Sequence, residues 1–266
     1  FILLLPAVIT FLLDLRKKES EGLGFATKRL HIKKNRLRDT LLGVFCALVI
    51  GFVLLVIGSF AVMTFLTKYP YDLTWSHIQT VFSRGMGGYF RNSLIISLLV
   101  AAIGTAVGYI TAYTTARTKN ALVAKVLHLT AIASLAIPGI VLGLGYVICF
   151  SDSFLKGTLL ILVFVNIIHF FSSPYMMAHN AMKKLNPNFE DVGKTLGIGR
   201  VRLLWDVFVP CTLDTIAEMF GYFFVNSMIT ISAVAFLYSS QTMPLSLMIN
   251  QMESSMMFEA AAFISL

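Results

Sequence analysis

The sequence predicts an all-α fold, a polytopic bundle of transmembrane helices, and three observations carry that reading. Hydrophobic residues make up 57% of the chain, charged residues only 13%, and the mean hydropathy is +0.81, whereas soluble domains carry roughly 25% charged residues. Apolar runs of membrane-crossing length, about 20 residues, recur along the chain between short polar connections. The basic residues flank these runs and do not gather into one surface beside aromatic residues. The net charge of +8 therefore reads as topology and not as a nucleic-acid face.

Taken in order, residues 1–15 hold an apolar run that ends at Asp14 and is too short to span a bilayer. A signal peptide would place its basic cluster before such a run, and here the cluster follows it. The expectation is the end of a preceding transmembrane helix. Residues 16–40 form a basic linker, with Arg16, Lys17, Lys18, Lys28, Arg29, Lys33, Lys34, Arg36 and Arg38, expected on the cytoplasmic side. Residues 41–266 are expected to form a six-span domain, with spans at 41–66, 93–115, 122–150, 158–177 and 211–237 and a last one starting near Met256.

If the first span leaves the cytoplasm, the later sides follow by alternation. Nine Lys/Arg of residues 16–38, three of 117–125 and five of 183–202 then face inward, leaving Lys68, Arg84, Arg91 and Lys156 outside. Seventeen of 21 basic residues inside is the positive-inside bias.

In the outer connection, Tyr69, Tyr71 and Trp75 suit an interfacial aromatic belt, a short surface helix is expected, and Asn92 or Ser93 is placed to cap the next span. Gly104 with Gly108, and Gly139 with Gly143, have the spacing that lets membrane helices approach closely. Pro138-Gly139 is expected to kink the third span. Cys46, Cys149 and Cys211 lack metal-type spacing and are expected to pack as small hydrophobes. His31, His77, His128, His169 and His179 are scattered singly and make no metal cluster or nucleophile constellation.

One polar, charged, helix-forming passage interrupts the second half of the chain, from Asp191 to Pro210 within a loop of about 180–210. It carries Lys194, Arg200 and Arg202 and ends at Pro210, a natural first-turn position for the next apolar helix. Gly193-Lys194-Thr195 looks like the end of a phosphate-binding loop. The first glycine of that motif would have to stand at Asn188, however, and no soluble strand precedes it.

Gly197 falls six residues after Asp191, Val207 ten after Gly197, and Val209-Pro210 closes the passage. This resembles the cytoplasmic EAA loop of ABC-importer permeases, with Asp191 in place of Glu, Val192 and Gly193 in place of the two alanines, and Val209 in place of Leu. The loop also lies between the fourth and fifth spans, as in that family. The resemblance implies a type I ABC-importer permease fold. It implies a helix containing Asp191, Val192, Gly193 and Leu196 that docks on a cytoplasmic ATP-binding subunit, a turn at Gly197, and a close at Pro210. A turn with φ > 0 favours glycine, and Gly193 inside the helix is expected to weaken it by up to about 1 kcal/mol.

It further implies an external solute-binding protein, a second permease half or subunit, and location in the bacterial inner membrane. ATP and Mg would be bound by the partner, with no cofactor in this chain. The segment from Asn226 to Leu237 resembles the fifth span of ferric-iron, polyamine and 2-aminoethylphosphonate permeases, the last being nearest.

Polar residues at membrane depth are the candidate pathway. Asp214 and Glu218 are i,i+4 on one helix face, and an ionisable group as deep as Glu218 is expensive unless paired or hydrated. Asn226, Ser227, Thr230 and Ser232 continue a polar line, and Asn166 lies in the fourth span. An ion-coupled secondary transporter or channel working through Glu218 is the alternative from another class.

Overall fold

A computed structural model of the chain describes residues 35–66, 72–118 and 120–265. The expected helix end at 1–15, the basic linker as far as residue 34, and Tyr69 and Tyr71 lie outside the described residues. Helices follow in the order α1 (Arg36–Phe65), α2 (Ser76–Ser83), α3 (Met86–Arg117), α4 (Ala121–Ile132), a 3-10 turn (Ala133–Ala136), α5 (Gly139–Cys149), α6 (Leu159–Phe170) and α7 (Ser172–Lys184). Then come α8 (Phe189–Thr195), α9 (Arg200–Leu203), a π turn (Leu204–Phe208), α10 (Val209–Cys211), α11 (Leu213–Ile229), α12 (Leu245–Ser254) and α13 (Phe258–Ser265). Among the described residues, extended backbone pairs only in the isolated Leu66–Leu73 bridge. The all-α expectation holds.

The chain divides into two compact units. In the first, described over residues 35–89 and 247–265, Asn35 Oδ1 accepts from the Leu37 and Arg38 amides and starts α1. The 30 residues of α1 reach about 45 Å at 1.5 Å per residue, more than the roughly 30 Å hydrocarbon core. Thr64 is its one buried residue, so α1 turns almost its whole apolar surface outward, as a lipid-facing helix does. The expected short outer helix is α2, entered through Trp75, whose ring meets Phe65 edge-on at 5.3 Å. α13 packs on α1 and α2, with Phe263 against Phe82.

In the second unit, residues 90–246, α3 carries the core. Its buried positions Ile96, Val100, Gly104, Gly108, Ala112 and Thr115 recur at three- and four-residue spacing and face α11 and α7. A Cβ on Gly104 would lie 3.0 Å from the Phe223 ring, and one on Gly108 3.3 Å from Met219 Cε. Two glycines four apart on α3 thus receive two large side chains four apart on α11. This is the close packing the spacing predicts, and in lipid it must supply the association that water would otherwise drive.

The third and fourth spans are both broken. At Pro138, which donates no N–H, the preceding Ile137 turns extended and the helix axis bends by 107°, as the ring's clash with the preceding residue requires. α6 and α7 meet at Phe171 with a bend of 53°. The two breaks serve each other: Ser172 Oγ donates to the Ala131 carbonyl at 2.8 Å and pairs with Ser134 Oγ at 2.5 Å. Hydroxyls thereby satisfy backbone groups that the bilayer cannot.

Three expectations need correction. The fifth span ends as helix at Ile229 and not at Leu237, because Thr230 turns extended. The irregular backbone beyond it is received by α5, where a Cβ on Gly143 would fall 2.6 Å from the Ala233 carbonyl oxygen and one on Gly139 would collide with Ser232 Oγ. Non-helical backbone survives at this depth only when buried in protein.

Asn92 and Ser93 do not begin a helix either; α3 starts at Met86 and both are buried within it. Asn92 Nδ2 donates to the Gln241 and Met243 carbonyls at 2.8 and 3.2 Å, and Ser93 Oγ accepts the Leu245 amide at 2.7 Å. Ser93 thus caps α12, far along the chain. Finally, Cys46, Cys149 and Cys211 are all exposed on this chain, since each lies on a helix face or end that no described element covers.

Candidate coupling site

The polar passage folds as a short helix, a tight turn and a corner. Asn186 Oδ1 accepts the Asn188 amide at 2.9 Å, and α8 begins at Phe189 with Glu190 and Asp191 in its first turn and Lys194 in its last. Those charges complement the helix dipole. α8 ends in a paired closure: the Gly197 amide donates to the Lys194 carbonyl at 3.1 Å and the Ile198 amide to the Gly193 carbonyl at 2.8 Å. Gly197 holds φ +69°. This is the left-handed cap that glycine adopts without penalty.

α8 has two faces. Phe189 points inward and meets Phe208 edge-on at 6.1 Å. Gly193 is buried, and a Cβ there would come within 3.3 Å of Leu203 Cδ2. The sequence presents Gly193 as a weakness in the helix; its effect here is to let α8 and α9 touch. Outward, Val192 is 53% and Leu196 67% exposed, and Asp191 pairs with Lys194 at 3.0 Å. Val201 and Trp205 are also exposed, Trp205 at 64%. Gly193, Lys194 and Thr195 stand inside or at the end of a helix, with no phosphate-cradling loop around them.

Beyond α9 the helix widens into the π turn, and Arg202 pairs with Asp206 at 3.1 Å. Pro210 sits in the first turn of α10, where its missing amide is no loss. At Thr212 the chain turns by 81° into α11. Thr212 Oγ1 donates to the Phe208 carbonyl at 2.8 Å and pairs with the Tyr109 hydroxyl at 2.7 Å.

Residues 104–266 match the family described as "Binding-protein-dependent transport system inner membrane component". The chain belongs to this family. Among solved structures, this permease component is similar to "a bacterial ABC transporter involved in the import of the acidic polysaccharide alginate" at 14% identity, over 88% of this chain and 92% of that one, with a TM-score of 0.67. It is also similar to a "bacterial alginate ABC transporter in complex with alginate pentasaccharide-bound periplasmic protein" at 16% identity, over 86% and 88% of the two chains, with a TM-score of 0.69. At that identity the likeness establishes the type I importer permease fold. No curated protein matches the chain significantly. The permease is a multi-pass membrane protein and a transport component, not itself a catalyst.

On α11 of the permease, Asp214 and Glu218 are both exposed on one side, opposite the buried Met219, Phe223 and Ser227. Among the described residues neither carboxylate has a partner. The rest of the expected polar line does not join them. Asn226 is turned about 80° from Glu218 around the helix, and its Nδ2 donates to its own helix at the Tyr222 carbonyl. Thr230 is buried, with its carbonyl accepting Ser246 Oγ at 2.7 Å. Asn166 is 1% exposed and bonds the Leu162 carbonyl.

Five residues escape a reading of the sequence alone. Trp205 signals itself only as an indole in a charged passage. Glu190 and Arg117 give no local signal, because their partners are distant in sequence. His128 and His179, scattered in sequence, lie with ring centroids 4.9 Å apart, joined through the Tyr175 and Thr115 hydroxyls.

Proposed function

We propose that the permease is the membrane-spanning subunit, or half, of an ATP-driven bacterial inner-membrane importer, with α8 as the helix that enters a groove on a separate cytoplasmic ATP-binding subunit. One observation supports this most: α8 half-buries Phe189, buries Gly193, leaves Val192 and the adjoining Leu196 exposed, and is closed by a glycine cap. A short helix with an apolar outer stripe has no use for that stripe without a protein surface to cover it. ATP and Mg bind in the partner, and closure of two such subunits displaces α8. A binding protein delivers solute from outside, and the pathway alternates between inward and outward facing as ligands on both sides shift its populations.

The unpartnered Asp214 and Glu218 face of α11 is the part of the pathway contributed by this chain, across from the second permease half. Two carboxylates in low dielectric favour a solute carrying an amine or metal cation and oppose a bare anion. With the resemblance of the 226–237 segment, this supports 2-aminoethylphosphonate first, and ferric iron or a polyamine next. The alginate named for the structural neighbours is theirs, and no residue on this face argues for a polyanion.

Affinity purification of the permease from membranes tests the reading. An ATP-binding subunit should copurify, and Leu196→Glu should release it. Purification of a stable transporter with no ATPase, active on an ion gradient, would overturn it.

A further inference from the structure

Arg117 is the last residue of α3, and its side chain is 8% exposed. Nη2 donates to the Met182 and Leu185 carbonyls at 2.6 and 3.0 Å, and Nη1 donates to the Asn186 carbonyl at 3.3 Å. These carbonyls close the C-terminal end of α7, where helices leave acceptors unsatisfied. If that were all, Arg117 would be an ordinary cap.

Its reach goes further. Nη1 also stands 3.5 Å from Glu190 Oε2 in the first turn of α8, and the guanidinium lies 5.0 Å over the Phe208 ring in the π turn that leads to α11. One planar group therefore touches the membrane helix it belongs to, the end of α7, the docking helix α8 and the entry to α11. Tyr113, one turn earlier on α3, meets the same Phe208 edge-on at 5.2 Å.

The contact to Glu190 is incomplete. The carboxylate is 15% exposed, its Oε1 is buried with no hydrogen-bond partner, and so is Arg117 Nε. Unmade bonds on buried charged groups are costly, and a bidentate pair would relieve them. A shift of α8 by a fraction of an ångström to an ångström is enough to tighten or release the pair, while the carbonyl contacts keep Arg117 anchored. An element with two such arrangements is what transmission between sites physically requires. π turns, for their part, tend to fall at functional positions.

We infer that Arg117 is the positioning residue through which displacement of α8 reaches α3 and α11, its bond to Glu190 tightening in one transport state and loosening in the other. This rests on the proposed docking role of α8. Lysine cannot substitute, because one ammonium cannot hold the α7 carbonyls, the carboxylate and the Phe208 face together.

The test uses the full chain reconstituted with its ATP-binding subunit and binding protein, reading solute taken up per ATP hydrolysed. Arg117→Ala should leave the complex assembled and hydrolysing but lower uptake per ATP about tenfold, within the range that changes in coupling cover. Arg117→Lys should rescue only part. Glu190→Gln keeps the shape but exchanges the charge and one acceptor oxygen for an amide NH2, and should also lower the ratio, with the double variant no worse than Arg117→Ala alone; this arm still decides if Arg117→Ala fails to assemble. A normal ratio in Glu190→Gln, or in assembled Arg117→Ala with only thermal stability reduced, overturns the inference. Failure of the wild-type chain to engage an ATP-binding subunit overturns the functional reading itself.

Discussion

Replacing Gly197 with alanine separates backbone geometry from surface chemistry, because a Cβ there would meet nothing within 4 Å. The whole penalty is torsional: φ is +69°, and an L-residue held in the left-handed region costs about 1–2 kcal/mol. That lowers the population of the closed turn about 5- to 30-fold. Asparagine tolerates this conformation far better than alanine, and a β-branched residue tolerates it worst. Affinity for the ATP-binding subunit, measured with solubilised permease, should therefore fall in the order Gly197, Gly197→Asn, Gly197→Ala, Gly197→Val, with uptake following the same order. Equal losses in all three variants would mean that the surface matters and not the turn. No loss in any would remove the glycine cap from the account of docking.

Gly143→Ala should lower the melting temperature in detergent, since its Cβ would fall 2.6 Å from the Ala233 carbonyl oxygen, while Gly145→Ala, with nothing within 4 Å, should be neutral or slightly stabilising; equal effects would contradict the close approach of α5 to the segment after α11. Glu218→Gln should weaken uptake of a cationic or zwitterionic solute while subunit assembly persists, and unchanged transport of labelled aminoethylphosphonate, iron and spermidine would remove Glu218 from the pathway. Cysteine labelling in a background lacking Cys46, Cys149 and Cys211 should reach Asn188 only from the cytoplasm and Ser76 only from outside, and labelling of Asn188 from outside would reverse the topology.

Features that leave a local chemical mark were legible in the sequence. A helix ended by a left-handed residue needs glycine, so Gly197 could be placed as a turn. Gly104 and Gly108 advertised close packing by spacing alone. Pro138 announced a break but not its 107° size, which depends on the 3-10 turn before it. The bend at Phe171 has a local mark in Ser172-Ser173-Pro174, since a proline there has no amide for the Phe170 carbonyl, but the groups that stabilise the bend, Ala131 and Ser134, belong to another span. The end of α11 at Ile229 was missed for the same reason: hydropathy does not distinguish apolar helix from apolar irregular backbone, and the glycine groove of α5 that receives that backbone lies about ninety residues earlier. Gly193 carried the right residue and the wrong meaning, since its helix cost is visible locally and its contact with Leu203 is not.

The candidate site divides similarly. Asp191 and Val192 lie in α8, Leu196 closes it instead of lying within it, and Pro210 begins the next turn. Arg117 was unreadable because three of its acceptors are main-chain carbonyls at and just beyond the end of a different helix, and backbone carbonyls have no sequence identity. The proposed pathway narrowed from four residues on α11 and just beyond it to the Asp214 and Glu218 face, once helix rotation and the early end of α11 separated Asn226 and Thr230 from it.

Transport in sealed vesicles that hold the permease, its partner permease half and the copurified ATP-binding subunit tests the central claim most directly. Accumulation should require ATP inside and solute-loaded binding protein outside, persist when ion gradients are collapsed, and disappear in Leu196→Glu. Accumulation driven by an imposed ion gradient, without ATP or binding protein and unaffected by Leu196→Glu, would contradict it.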